Sequence, residues 1–293
     1  MKPRGKTARP LVAAMAALAA LAAGALALET RPQAQTTGPL RTAPDGRPLR
    51  VTFADEFNSF RPWNGRSGVW RTMYGNGKKT DIGQRTIANN KEVQVYVDAD
   101  MVDDHGRRLG LNPFSIKNGM LHITANRVGP EMAARLRGYR FISGVISSQP
   151  SFSQTYGYFE MRARTPTGKG LWPAFWMLPA DMGWPPEIDV MENIGNPTKV
   201  YGTVHSKVQK KVGKEHRVTP GFHTYAVAWD PKNIIWYIDG REVFRTATPG
   251  DHHEPMFLVA NMAMGGSWAG VPDASTRFPA TYEIDYIRAY QFR

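Results

Sequence analysis

The sequence contains no cysteine. Disulfides, zinc–thiolate sites, iron–sulfur clusters and thiol nucleophiles are therefore excluded. It also lacks HExxH, a GxxxxGK[ST] phosphate loop, GxGxxG and GxSxG, so several common catalytic and nucleotide-binding chemistries are without their motif. No long amphipathic helix is visible; the best short one is Pro130–Arg137. The seven histidines are scattered, and only His252 and His253 adjoin. They sit beside Asp251 and Glu254 without the ligand spacing of a closed metal site, which reads as a solvated loop. Acids are scarce: 25 Asp and Glu stand against 37 Lys and Arg, a formal charge of +12. Such an excess suits nucleic acid, an anionic surface or an acidic substrate. With no helix-turn-helix or RNA-recognition signature, nothing besides basicity favours nucleic acid. What is present is 42% hydrophobic and 11% aromatic residues, too apolar for disorder.

Residues 1–28 have the form of a secretory signal peptide. Lys2, Arg4, Lys6 and Arg9 precede the uncharged Ala/Leu run Leu11–Leu28, which ends in alternating small residues. Cleavage and a secreted or periplasmic location are expected, with no stable membrane span remaining. An uncleaved anchor is the rival reading. Residues 29–48, rich in Pro, Gly, Thr and Gln, read as a linker.

From residue 49 onward, apolar residues recur with period two in short β-branched and aromatic runs. Val51–Phe57, Glu92–Val97, Met120–Ala125, Tyr156–Arg164, Lys199–Ser206, Phe222–Trp229, Ile234–Ile238, Met256–Met262 and Tyr282–Tyr290 are expected strands. Asp239-Gly240 marks a hairpin turn. The pattern predicts one all-β domain, a sandwich or barrel, over residues 49–293.

Glu187-Ile-Asp189-Val-Met-Glu192 places three carboxylates within six residues. Side chains alternate along a strand, so Glu187 and Asp189 share one face. Glu192 joins that face only if a β-bulge after Asp189 adds one residue. The glutamates would then stand about four strand steps apart, and side chains leaning inward could bring their carboxyls to the ~5–5.5 Å of a retaining glycosidase. Asp189 could orient the nucleophile or raise the acid's pKa. An acidic solvent-facing strand and a calcium site are the competing readings at this point.

The segment resembles the ExDxxE signature of glycoside hydrolase family 16, in the form with the bulge. Similarity extends over some 240 residues: Phe53–Asn58, Asn89–Tyr96, Tyr156–Arg162, Gly170–Leu178, Gly202–His205, Trp236–Gly240, Asn261–Trp268 and Ile284–Tyr290 resemble successive family segments. The resemblance implies a concanavalin-like β-jelly-roll sandwich of two curved antiparallel sheets with a concave substrate cleft. It also implies Glu187 as nucleophile, Asp189 as its helper, Glu192 as general acid/base, and no cofactor for catalysis. Trp172, Trp176, His205 and Trp268 become candidate substrate contacts, with core packing the alternative for the tryptophans. Glu56 and Asp285 become candidate ligands of a structural calcium.

The implied activity is endo-acting, retaining hydrolysis of a polysaccharide by a monomer. β-1,3-glucan, β-1,3/1,4-glucan or a bacterial exopolysaccharide is the expected partner. A non-catalytic carbohydrate-binding sandwich and a transglycosylase are the alternatives. Residues 101–108 and the basic segment 208–217 are expected cleft-edge insertions. The latter, with Lys207, Lys210, Lys211, Lys214 and Arg217 in or beside it, extends the partner class to anionic polysaccharides.

Overall fold

The computed structural model describes residues 38–74 and 82–293. The expected signal peptide and residues 29–37 of the expected linker lie outside the described residues. Sixteen strands follow in order. They begin with β1 (Leu49–Asp55), β2 (Gln94–Tyr96), β3 (Phe114–Lys117), β4 (Met120–Arg127), β5 (Phe141–Ser143) and β6 (Val145–Ser147). Next come β7 (Gly157–Arg164), β8 (Leu171–Pro179), β9 (Glu187–Glu192), β10 (Lys199–His205) and β11 (Val212–Arg217). The last are β12 (His223–Trp229), β13 (Asn233–Ile238), β14 (Arg241–Ala247), β15 (Met256–Met264) and β16 (Ala280–Phe292). Among the described residues the α-helices are α1 (Pro130–Arg135) and α2 (Gly266–Ala269), both short, beside single 3₁₀ turns at Ile82–Gln84 and Ala88–Asn90.

A ten-stranded sheet runs β14-β13-β12-β7-β16-β4-β5-β2, with β1 on β16 and β3 on β4. A six-stranded sheet runs β11-β10-β9-β8-β15-β6. Every pairing is antiparallel except β2 with β5. The expected all-β sandwich is therefore the observed architecture, and all nine expected strands have a counterpart.

The period-two runs explain the layering. Phe159, Met161 and Ala163 of β7 point inward, as do Val227 and Trp229 of β12 and Ile284, Ile287 and Ala289 of β16. They meet Phe175 and Met177 of β8, Ile188 and Met191 of β9, and Leu258, Ala260 and Met262 of β15. Each of the larger side chains, alanines aside, contributes about 1.5–3 kcal/mol on burial. At the β13–β14 turn, Asp239 and Gly240 both have positive φ (50° and 73°). That is the requirement of a type I′ hairpin turn.

Two segments depart from expectation. Residues 38–48, read as linker, are folded onto the ten-stranded sheet. Ala43 and Leu49 are buried with Tyr158, Tyr237 and Tyr290, and Arg47 bridges Asp45 and Asp230. Two apolar anchors carry this segment, too few to give a periodic signal. The basic 208–217 segment is not a simple insertion: residues 212–217 form β11, the edge strand of the six-stranded sheet. Residues 101–109 fold back through the Val102–Arg108 bridge, bury Met101 and Leu109 beside Leu136, and meet α1 through the Asp103–Arg135 ion pair. Among the described residues, no helix is long and apolar enough to cross a membrane.

Candidate active site

The outer face of the six-stranded sheet carries the acidic cluster. On β9, Ile188, Val190 and Met191 belong to the core. Glu187, Asp189 and Glu192 take the opposite face. Register fixes the bulge: Asp189 lies opposite Thr203 and Trp176, and Glu192 opposite Tyr201 and Ala174. Three residues of β9 thus span two of each neighbour, as the acid spacing requires. The ten-stranded sheet helps hold this irregularity. Trp236 of β13 donates its indole N–H across the core to the Asp189 carbonyl at 2.8 Å. Gly202, beside the bulge, leaves room for that ring: a Cβ there would stand 2.6 Å from Cδ1 of Trp236.

The carboxylates differ in surroundings. Trp184, 62% exposed, donates its indole N–H to Oε2 of Glu187 at 2.9 Å. His205 of β10 places Nε2 3.4 Å from Oε1 of Glu187 and 3.3 Å from Oδ2 of Asp189. Asp189 is 3% exposed, and its Oδ2 has no hydrogen-bond partner. Trp172 of β8 donates its indole N–H to Oε1 of Glu192 at 3.0 Å.

Burial dominates the electrostatics. It pushes Glu187 well above the usual carboxylate range, and the charge of Asp189 adds to this. Burial also pushes Asp189 well up, helped by the charge of Glu192. Glu192 is pushed up to about 7 by burial, with the Trp172 hydrogen bond pulling back and the charge of Glu187 adding to the rise. Burial holds His205 below its ordinary value. Lys211, just ahead of β11, lends positive charge toward Asp189, Glu192 and His205. The cluster therefore retains protons at a pH where ordinary carboxylates have lost them.

The tryptophans separate into two situations. Trp268, 42% exposed, meets Trp172 edge-on at 5.5 Å and Tyr201 at 4.7 Å between ring centroids. These three rings form an aromatic corner beside Glu192. Trp176 is only 9% exposed, packs against Tyr74 and donates its indole N–H to Asn261 at 2.7 Å. It underpins the face rather than presenting an open ring.

Trp184, Tyr201 and Asn261 carry no role in the sequence reading. Trp184 had a local signal, an aromatic residue in Gly-Trp-Pro-Pro immediately before the acidic strand. The stretch around Asp251–His253 also departs from a solvated loop. His252 is fully buried, bonds Asp251 at 2.9 Å and reaches the Glu187 carbonyl at 3.4 Å. Asp251 in turn accepts from Ser206 Oγ at 2.8 Å and Lys207 N at 2.6 Å. Trp229 donates to the His252 carbonyl at 3.1 Å. The backbone of Glu187 is thus tied to the end of β10 and, through Trp229, to the other sheet.

The expected calcium ligands lie elsewhere and are neutralised. Glu56 accepts from Nε and a terminal nitrogen of Arg288 at 2.7 and 2.8 Å, while Asp285 accepts from Arg162. A donor set engaged by two guanidinium groups does not fit a hard cation.

The sequence profile of Glycosyl hydrolases family 16 matches residues 108–288. The chain is 41% identical over 256 residues to endo-1,3-1,4-beta-glycanase ExsH of Rhizobium meliloti (strain 1021), covering 85% of this chain and 53% of that protein. It is 41% identical over 248 residues to endo-1,3-1,4-beta-glycanase EglC of the same organism, covering 83% of this chain and 52% of that protein. The chain thus spans about half the length of the curated relatives it matches. The structure of endo-beta-1,3-glucanase from Pyrococcus furiosus superposes with a TM-score of 0.71 at 29% identity, covering 87% of this chain and 99% of that one.

Proposed function

From the premise that this chain belongs to glycosyl hydrolase family 16, whose glycosidases need no cofactor for catalysis, we propose that it is an endo-acting, retaining β-glycanase. The observation that carries the reading is the placement of Glu187, Asp189 and Glu192 on one sheet face by the bulge, with Glu192 poised at about 7. Its substrate is a polysaccharide with internal β-1,3 or β-1,3/1,4 bonds, a glucan or a bacterial exopolysaccharide.

In the first step a carboxylate oxygen of Glu187 attacks the anomeric carbon. The glycosidic C–O bond breaks, and protonated Glu192 gives its proton to the leaving oxygen. A pKa of about 7 keeps Glu192 protonated in neutral and mildly acidic solution. In the second step Glu192 removes a proton from water, the water oxygen attacks the same carbon, and the ester bond to Glu187 breaks.

Asp189, beside Glu187 on the same strand face, serves as its helper and orients the nucleophile, with His205 Nε2 placed against both carboxyls. The aspartate is the more deeply buried, and no N–H reaches its Oδ2, whereas Trp184 donates to Glu187. Trp268 and Tyr201 offer ring faces and edges for sugar C–H groups.

The basic edge strand favours an anionic polysaccharide. Lys211, in the β10–β11 connection with Lys207 and Lys210, lends its charge to Asp189 and Glu192, while Lys214 turns to the opposite face over Phe244. The protein acts as an exported monomer, secreted or periplasmic, in keeping with the basic and apolar segment of residues 1–28.

The test is release of reducing ends from laminarin, lichenan and an acidic exopolysaccharide by wild-type protein and E187Q. The reading expects internal cleavage by the wild type and a loss of roughly 10^4-fold or more in the variant. Binding without cleavage would identify a carbohydrate-binding sandwich instead. Transfer to added acceptor sugars in place of water would identify a transglycosylase.

A further inference from the structure

Nε2 of His205, Oε1 of Glu187 and Oδ2 of Asp189 lie within 4.8 Å of one another. The histidine nitrogen stands 3.4 Å from the glutamate oxygen and 3.3 Å from the aspartate oxygen. Both separations are long for an N–H···O hydrogen bond. They match the edge of a metal tetrahedron, because bonds of about 2.05 Å from zinc to N or O place neighbouring donors about 3.3 Å apart.

A second observation points the same way. Oδ2 of Asp189 is buried without a hydrogen-bond partner and faces the histidine. The other oxygen of Glu187 is already held by the indole N–H of Trp184 at 2.9 Å, which leaves Oε1 turned toward His205. Outer hydrogen bonds of this kind orient ligating carboxylates in metal sites.

We propose that Glu187, Asp189 and His205 bind a divalent transition-metal cation of the zinc class, and that the bound cation inhibits the protein by occupying Glu187. Neutral imidazole and two carboxylates form a mixed N/O set suited to zinc, copper or nickel. Three protein donors leave a fourth position open to water. Calcium requires six to eight oxygens and is not accommodated. Metal and glycan compete, since each requires the free carboxylate of Glu187. Metal binding stands apart from the hydrolytic reading; the inhibition rests on it.

The experiment is calorimetric titration of the full chain with zinc chloride, beside calcium chloride. The proposal expects one zinc per chain, no calcium binding, and affinity weakened roughly 100-fold in both H205A and H205N. E192Q removes no ligand, though it removes a charge that acts on Asp189, and is expected to keep one zinc per chain with an affinity loss well short of that of H205A. Circular dichroism checks that each variant is folded. No stoichiometric zinc binding, or unchanged affinity in folded H205A and H205N, overturns the site. In parallel, zinc is expected to inhibit polysaccharide cleavage competitively, with recovery after EDTA. Zinc bound at this site without slowing cleavage overturns the inhibitory half alone. A protein that cleaves no glycan under any condition defeats the hydrolytic reading, while the calorimetry still decides the metal site.

Discussion

Trp172 donates its indole N–H to Oε1 of Glu192 at 3.0 Å, so a residue of β8 stabilises the charged form of the carboxylate facing it from β9. A hydrogen bond to the charged form lowers a carboxylate's pKa, and its loss raises it. W172F is therefore expected to move the alkaline limb of the kcat profile to higher pH, by about one pH unit at most. The pH dependence of kcat, measured on one polysaccharide, checks this. A shift to lower pH would contradict the assignment.

Glu192 also makes stability depend on pH. Its folded value is about 7 against an ordinary 4.5. A raised folded value means that its contribution is complete below the unfolded value and is lost as pH rises through the folded one. E192Q, neutral at every pH, is expected to be more stable than wild type at pH 8 by about 2–3 kcal/mol. The difference should close near pH 4. Denaturant unfolding at the two pH values measures it, and an equal difference at both would show that charge is not the cause.

The bulge depends on Trp236 and Gly202. G202A drives a methyl group into the indole, whose Cδ1 lies 2.6 Å from where that Cβ would sit. A cost of about 1–3 kcal/mol is expected. The displaced ring releases the Asp189 carbonyl, so kcat should fall more than KM rises. W236F keeps most of the packing, removes the donor, and should show the same kcat bias at a smaller stability cost. Unfolding curves and steady-state kinetics on both variants give the comparison.

His252 touches the backbone of Glu187 rather than its carboxylate, so it is a positioning residue. Misplacement by about 1 Å costs roughly 100-fold in rate. H252A is expected to lose between about 10-fold and 100-fold in kcat with little change in KM. H252N retains a donor in a smaller side chain and should recover part of the loss. A rise in KM with kcat intact would instead mean that His252 shapes substrate binding.

The lysines at the β10–β11 edge predict a dependence on salt. Exposed charges steer an anionic polymer at low ionic strength and are screened as the Debye length shrinks. kcat/KM on an acidic exopolysaccharide should fall between 20 and 500 mM NaCl, while the value on neutral laminarin should hold. Equal salt responses would remove the electrostatic preference.

Much of the architecture is legible in the sequence because half-buried strands alternate apolar and polar residues. β7, β12, β13 and β16 carry that alternation plainly. β9 announces its bulge because Glu192 breaks the alternation by one position. β11 is hidden, since Val-Gly-Lys-Glu-His-Arg is a polar edge strand without a core face of its own. The folded 38–48 segment is hidden for a related reason: its apolar anchors are only Ala43 and the adjoining Leu49, and the rest of its hold is polar, through Arg47 and Leu40 N. His252 and His253 are neighbours in sequence, yet one is fully buried and the other exposed, a difference that only the Asp251 and Glu187 contacts create. Trp184 and Asn261 likewise gain their partners through the fold.

The most direct measurement of the central claim is mass spectrometry of E192Q incubated with an activated β-glucoside carrying a dinitrophenyl leaving group. Such a leaving group needs no proton, so the first step proceeds, while the second lacks its base. The account predicts that a glycosyl ester accumulates and that proteolysis maps it to Glu187. Accumulation on another residue, or release of product with inverted anomeric configuration and no ester, would contradict it.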